Sequence, residues 1–202
     1  MILALVLKPA RTSWFTAAGL GAIATATFAW MGHGAATEGP GGLIHLVSDI
    51  FHSWAGAVWI GALVAFALIL RTRSPTPAGL LALHRALHGF SGVGTLLVAV
   101  LVASGLVNSW FLVEPDRITS LWTTSYGRLL SLKLLLFMAM LGLAAANRFR
   151  LTPALARGLN EPSRQGEALA DLRRSIALET AAALGVVALV AWFGTLAPPA
   201  AM

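Results

Sequence analysis

The sequence predicts an all-α protein: a polytopic membrane helix bundle with about five transmembrane helices. Three observations predict it. Of the 202 residues, 57% are hydrophobic and only 11% are charged, whereas a soluble domain carries about 25% charged residues. The apolar residues gather into five runs, each long enough to cross about 30 Å of hydrocarbon as a helix. Between the runs lie Pro/Gly clusters and most of the charge, the pattern of spans joined by short loops.

Taken in order, the spans are roughly 14–32, 43–70, 88–113, 129–147 and 175–197, in one membrane domain covering 1–202. The first is an uncharged run closed by Gly34–Gly42, which contains Glu38 and Gly39-Pro40-Gly41-Gly42. The second, LIHLVSDIFHSWAGAVWIGALVAFALIL, is apolar except for polar residues in its first third. Arg71–His84, with Pro75 and Pro77, reads as a loop. The third span ends at Glu114-Pro115-Asp116-Arg117. Thr119–Gly127, with Trp122 and Tyr126, reads as interfacial, because Trp and Tyr favour that depth. After the fourth span comes a basic connection, Arg148–Arg174, whose second half starts the last helix below the membrane. Pro198-Pro199 stops the fifth span. Met1–Leu7 is too short to span and has no basic n-region, so it is a poor signal peptide.

The net charge of +6 follows from basic cytoplasmic loops and gives no reason to invoke nucleic acid. Lys8 and Arg11 precede span one, Arg71, Arg73 and Arg85 lie between spans two and three, and six arginines lie between spans four and five. The positive-inside rule then puts the N-terminus in the cytoplasm and the C-terminus outside. There is no cysteine, so any metal is held by His, Met or carboxylate. No nucleophile–base–acid set, phosphate loop or zinc-protease helix motif is present, which leaves no case for enzymatic catalysis.

This orientation gives each polar residue a depth. His33 closes span one at the outer side, and His45, Asp49 and His52 enter span two there. The spacing i, i+4, i+7 puts these three on one helix face, continued by Gly56, Trp59 and Leu63. Asn108, with Ser104 one turn further in, and Lys133 come from spans three and four. Three histidines and a carboxylate suit copper or zinc, and Met31 adds a thioether for a soft ion. His45 and His52 are two turns apart, about 10 Å along the axis, so one ion does not bridge them unaided. Either His33 and His45 form an upper site and His52 a lower one, or His52 pairs with a group from another helix. The bland alternatives are that His33 and His45 are ordinary interfacial residues and that Asp49 only orients a histidine. His52 lies deeper, where a titratable group is costly and usually functional.

Glu179 and Lys133 lie in apolar runs at opposite depths. Glu179 is expected to form a structural ion pair with Arg85, His88 or Arg148, the sharper alternative being a relay or exit site for a cation. Lys133 is expected to donate a hydrogen bond to Asn108 or Tyr126. The tryptophans read as interface anchors.

An ordered series of residues resembles the copper resistance protein D family of bacterial inner-membrane proteins. It runs from Gly32-His33 through His52 and Trp59-Ile60-Gly61-Ala62-Leu63 to Phe90-Ser91 and Ser104-Gly105 with Asn108. It continues with Tyr126-Gly127-Arg128-Leu129-Leu130 leading to Lys133, then Asn147-Arg148 with Pro153 downstream, and Glu179. The resemblance implies copper handling, as Cu(I) or Cu(II), while the sorting by depth separately puts the candidate metal ligands His33, His45, Asp49 and His52 at the periplasmic face. Met31, Asn108 and Glu179 are the supporting residues. It also implies membrane lipid and a periplasmic copper-binding protein as partners. Members of that family have about eight spans, the additional ones preceding this region. The chain therefore reads as a short variant, a fragment or the C-terminal domain, with Met1–Leu7 the remnant of a preceding helix. Two other readings are a haem b electron-transfer protein and a membrane scaffold for a periplasmic copper chaperone. In the first, His52 and His88 are mismatched in depth, although His33 with His52 remains open.

Overall fold

The computed structural model describes residues 11–31, 37, 39–71 and 76–201. Five of its helices are long and apolar enough to cross a membrane, and no strand occurs among the described residues. The chain begins with α1 (Arg11–Met31), α2 (Gly42–Leu70) and α3 (Pro77–Val113), followed by a 3₁₀ turn at Pro115–Arg117 and the short α4 (Ser120–Thr123). Then come α5 (Ser125–Ala146), a π-helical turn at Asn147–Leu151, α6 (Thr152–Asn160), α7 (Pro162–Phe193) and a 3₁₀ turn at Pro199–Ala201. The end holding Gly42, Val113, Ser125 and Phe193 is called the upper end below.

Helix α3 starts at Pro77, about three turns before the expected span, inside the stretch read as a loop. The cause is local. Thr76 is extended and its hydroxyl accepts from Gly79 N at 3.2 Å, while Pro77 sits at N1, where its missing N–H costs nothing. Pro162 likewise stands at the start of α7, there without a side-chain cap, and the last helix begins well below its apolar run, as its basic first half predicts. Thr124 caps α5 by accepting from Gly127 N at 3.0 Å.

α2 packs on α1, α3 and α7, α5 packs on α7, and α6 folds back on α7 and α3. By contrast, α3 and α5 make little direct contact. The main core runs down the bundle through Trp59, Leu63, Phe66, Leu83, Leu101 and Leu172. A smaller one at the upper end joins Val113, Tyr126, Leu130 and Phe193. Large apolar side chains such as Phe15, Leu96, Leu106 and Leu135 point outward, as lipid-facing positions do.

At the upper end, α4 turns tightly into α5 over Gly127. A Cβ there would meet the Ser120 carbonyl oxygen and would lie 2.6 Å from Leu121 Cα, both backbone atoms that cannot swing aside. Gly127→Ala is therefore expected to cost about 1–3 kcal/mol of stability, the usual effect of overpacking. A thermal melt in detergent reads this directly. An unchanged midpoint would mean that α4 shifts freely.

Candidate functional site

Polar side chains enter the bundle in two layers. The upper layer stitches α2 to α3. Ser48 Oγ donates to Ser104 O at 3.0 Å, Asn108 Nδ2 donates to Asp49 Oδ1 at 2.8 Å, and His52 Nδ1 lies 2.9 Å from Ser104 Oγ. Ser104 and Asn108 are one turn apart on α3, so they present one face to the stripe of α2. In hydrocarbon, such interhelical bonds replace the water that would otherwise solvate these groups.

The Ser104 hydroxyl has one proton, and its 2.6 Å contact with Val100 O, one turn back on α3, takes it. The oxygen then accepts from His52, which assigns the His52 proton to Nδ1. Nε2 is left with its lone pair, the form in which imidazole binds a metal. The ring is half-buried against Gly105, about 15 Å below the start of α2.

The other sequence-predicted residues are placed differently. His45 is 1% exposed, stacked on Phe111 with centroids 4.8 Å apart and planes 10° apart, and its Nδ1 lies 2.7 Å from Thr37 Oγ1. Met31, the last residue of α1, is exposed. His33 lies outside the described residues. Among the described residues, no three His, Asp or Glu side chains come together as a metal site. Lys133 makes neither expected bond. Its Nζ sits 5.8 Å from the Phe193 ring centre.

The lower layer lies two turns below His52. Glu179, 2% exposed, accepts from Trp59 Nε1 through Oε1 at 2.9 Å and from Asn147 Nδ2 through Oε2 at 2.9 Å. This corrects the expectation of an ion pair. Arg148 instead donates to Thr95 Oγ1 on α3 and lies over the Phe149 ring, with Cζ 5.2 Å from its centre. The π-helical turn supplies the register. It widens the helix at Asn147, so that Asn147 faces α7 while Arg148 faces α3. Trp59, expected as an interface anchor, is a buried donor to the carboxylate.

Midway along these two turns between the layers lies an apolar level. Ala55, Leu101, Met140 and Ala183, one from each of α2, α3, α5 and α7, are all buried in the main core. Ala55 and Ala183 lie one turn above Trp59 and Glu179 respectively, on the side towards His52.

A family model described as "Copper resistance protein D" matches residues 84–193. The chain belongs to the copper resistance protein D family. It is 46% identical over 180 residues, 89% of its length, to the "Copper resistance protein D" of Pseudomonas syringae pv. tomato. It is 32% identical over 124 residues, 61% of its length, to the "Copper transport protein CutJ" of Bacillus subtilis strain 168. It is 31% identical over 131 residues, 63% of its length, to the "Inner membrane protein YebZ" of Escherichia coli K12. It spans 57%, 22% and 42% of these three relatives' lengths. No solved structure matches it. The matched region carries Ser104, Asn108, Lys133, Asn147 and Glu179. The residues from α2 that meet them, Asp49, His52 and Trp59, precede it.

Proposed function

We propose that this chain handles copper in the bacterial inner membrane, receiving the ion at the periplasmic face and carrying or delivering it inward. The observation that carries this reading is His52, a histidine held through Nδ1 by Ser104 with the Nε2 lone pair left for a metal. Family membership and the relatives' names, copper resistance and copper transport, supply the identity of the ion.

In this reading the upper end faces the periplasm, the N-terminus is cytoplasmic and the C-terminus outside, as the basic loops require. His33 and His45 form the first station and His52 the second, about 10 Å further in. Asp49, braced by Asn108, balances the charge that arrives, and Met31 stands at the rim. A periplasmic copper-binding protein hands the ion to this rim. From His52 the ion crosses the apolar level, where the Met140 thioether is a soft donor, towards Glu179. The protein acts as a carrier and not as a catalyst.

The test is copper analysis of the purified protein together with cellular copper in producing and non-producing cells. Bound copper at close to one or two ions per chain and a changed copper content are expected. Copper-free protein after loading with either oxidation state, with unchanged cell copper, would sink the proposal.

A further inference from the structure

Below the apolar level, the bundle holds a cavity of about 380 Å³. Trp59, Glu179 and Asn147 form its back, and Thr152 contributes to its floor. His88, Thr95, Arg148 and Phe149, all exposed, surround its mouth. Because α3 and α5 pack little on each other, the mouth opens sideways between them. In a membrane-spanning bundle that direction leads into the lipid, so whatever enters is membrane-soluble. The volume lies within the usual range of small-molecule sites, about 300–1,000 Å³.

The chemistry of the back wall narrows the occupant. Its free polar capacity is that of an acceptor. Both Glu179 oxygens keep lone pairs beyond the single bond each receives. Asn147 is 9% exposed, and with its Nδ2 committed to Glu179, its Oδ1 is buried with no donor among the described residues. A buried acceptor of this kind calls for a partner. The mouth has the opposite character, since Arg148 and His88 bring donors there. Between the two lie the rings of Phe66 and Phe90, which meet edge to face with centroids 5.6 Å apart. A flat ring with a hydroxyl at one end and an oxygen at the other matches all three zones.

We infer that this cavity binds the aromatic head of a membrane-soluble hydroquinone. One hydroxyl donates to the Glu179–Asn147 pair, the opposite oxygen accepts at the Arg148 mouth, and an apolar tail leaves between α3 and α5 into the bilayer. The site is separate from the His52 layer, and its argument does not depend on copper.

Anaerobic calorimetric titration of the full purified chain in detergent tests this, with tetramethylhydroquinone as probe and its dimethyl ether as control. The ether keeps the ring and methyl groups but has no hydroxyl to donate. Saturable one-to-one binding of the hydroquinone is expected, with the ether weaker by about tenfold or more. Ala145→Phe, which fills the cavity while keeping the Trp59–Glu179–Asn147 bonds, is expected to abolish binding. Absence of saturable binding, equal binding of the ether, or wild-type affinity in Ala145→Phe would overturn the assignment. Equal binding of the ether would mean a merely apolar space.

Discussion

Cells producing His52→Ala are expected to lose most of the copper phenotype that the wild-type chain confers, and the purified variant to lose copper bound at the second station. Among the described residues of the upper layer, His52 combines depth, a committed Nδ1 proton and a free Nε2 lone pair. The control is Ser104→Ala. It removes the acceptor that fixes the tautomer, together with that hydroxyl's own bond to Val100 O, while Ser48 still bonds to the backbone carbonyl of residue 104. Loss of such an orienting partner typically weakens metal affinity by about 10- to 100-fold. Ser104→Ala should therefore bind the same number of ions more weakly, whereas His52→Ala should bind fewer. Copper titrations with thermal melts on the same samples separate ligand loss from unfolding. Unchanged stoichiometry and unchanged copper accumulation in a well-folded His52→Ala protein would remove the residue from the path.

The number and order of the long helices could be read from the sequence because apolar runs between Pro/Gly clusters have few other solutions. The start of α3 could not, because Pro75 and Pro77 read equally well as loop residues and as the entry to a helix. Thr76 decides for the helix through its cap. The stripe His45–Asp49–His52 followed from spacing alone, but spacing on one helix says nothing about which neighbour faces it. Ser104 and Asn108 became partners through the register between α2 and α3. Glu179 shows the same limit more sharply. A sequence suggests a cation for a buried carboxylate by matching charges, and Arg148 was available. The π-helical turn instead rotates Asn147 towards the carboxylate and Arg148 towards α3, and no local composition announces such a turn. Trp59 was conspicuous beforehand as part of the α2 stripe and the motif series, but as an interface anchor and not as a donor to Glu179. His33, central to the expected entrance, lies outside the described residues.

Glu179→Ala should be among the most destabilising single substitutions in the lower half of the bundle. It leaves the Trp59 indole N–H and the Asn147 amide buried without their acceptor. An orphaned buried donor costs about 1–3 kcal/mol in soluble proteins, and measured interhelical bonds in membranes average about 0.6 kcal/mol. Two such losses give about 2 kcal/mol, or roughly 4–8 °C in melting temperature for a chain of this size. The asymmetry between breaking a polar network and replacing it supplies the decisive comparison. In the triple variant Trp59→Phe, Asn147→Leu, Glu179→Leu, no donor is orphaned and no carboxylate is desolvated, so most of the lost stability should return. If the triple variant melts near the wild type, the trio is not needed to hold the bundle together. A buried carboxylate held by two neutral donors then points to ligand or ion binding. If the triple variant is as unstable as Glu179→Ala, the three side chains act mainly to fix the register of α2, α5 and α7. A Glu179→Ala protein that melts like the wild type would refute the predicted cost of orphaning the two donors.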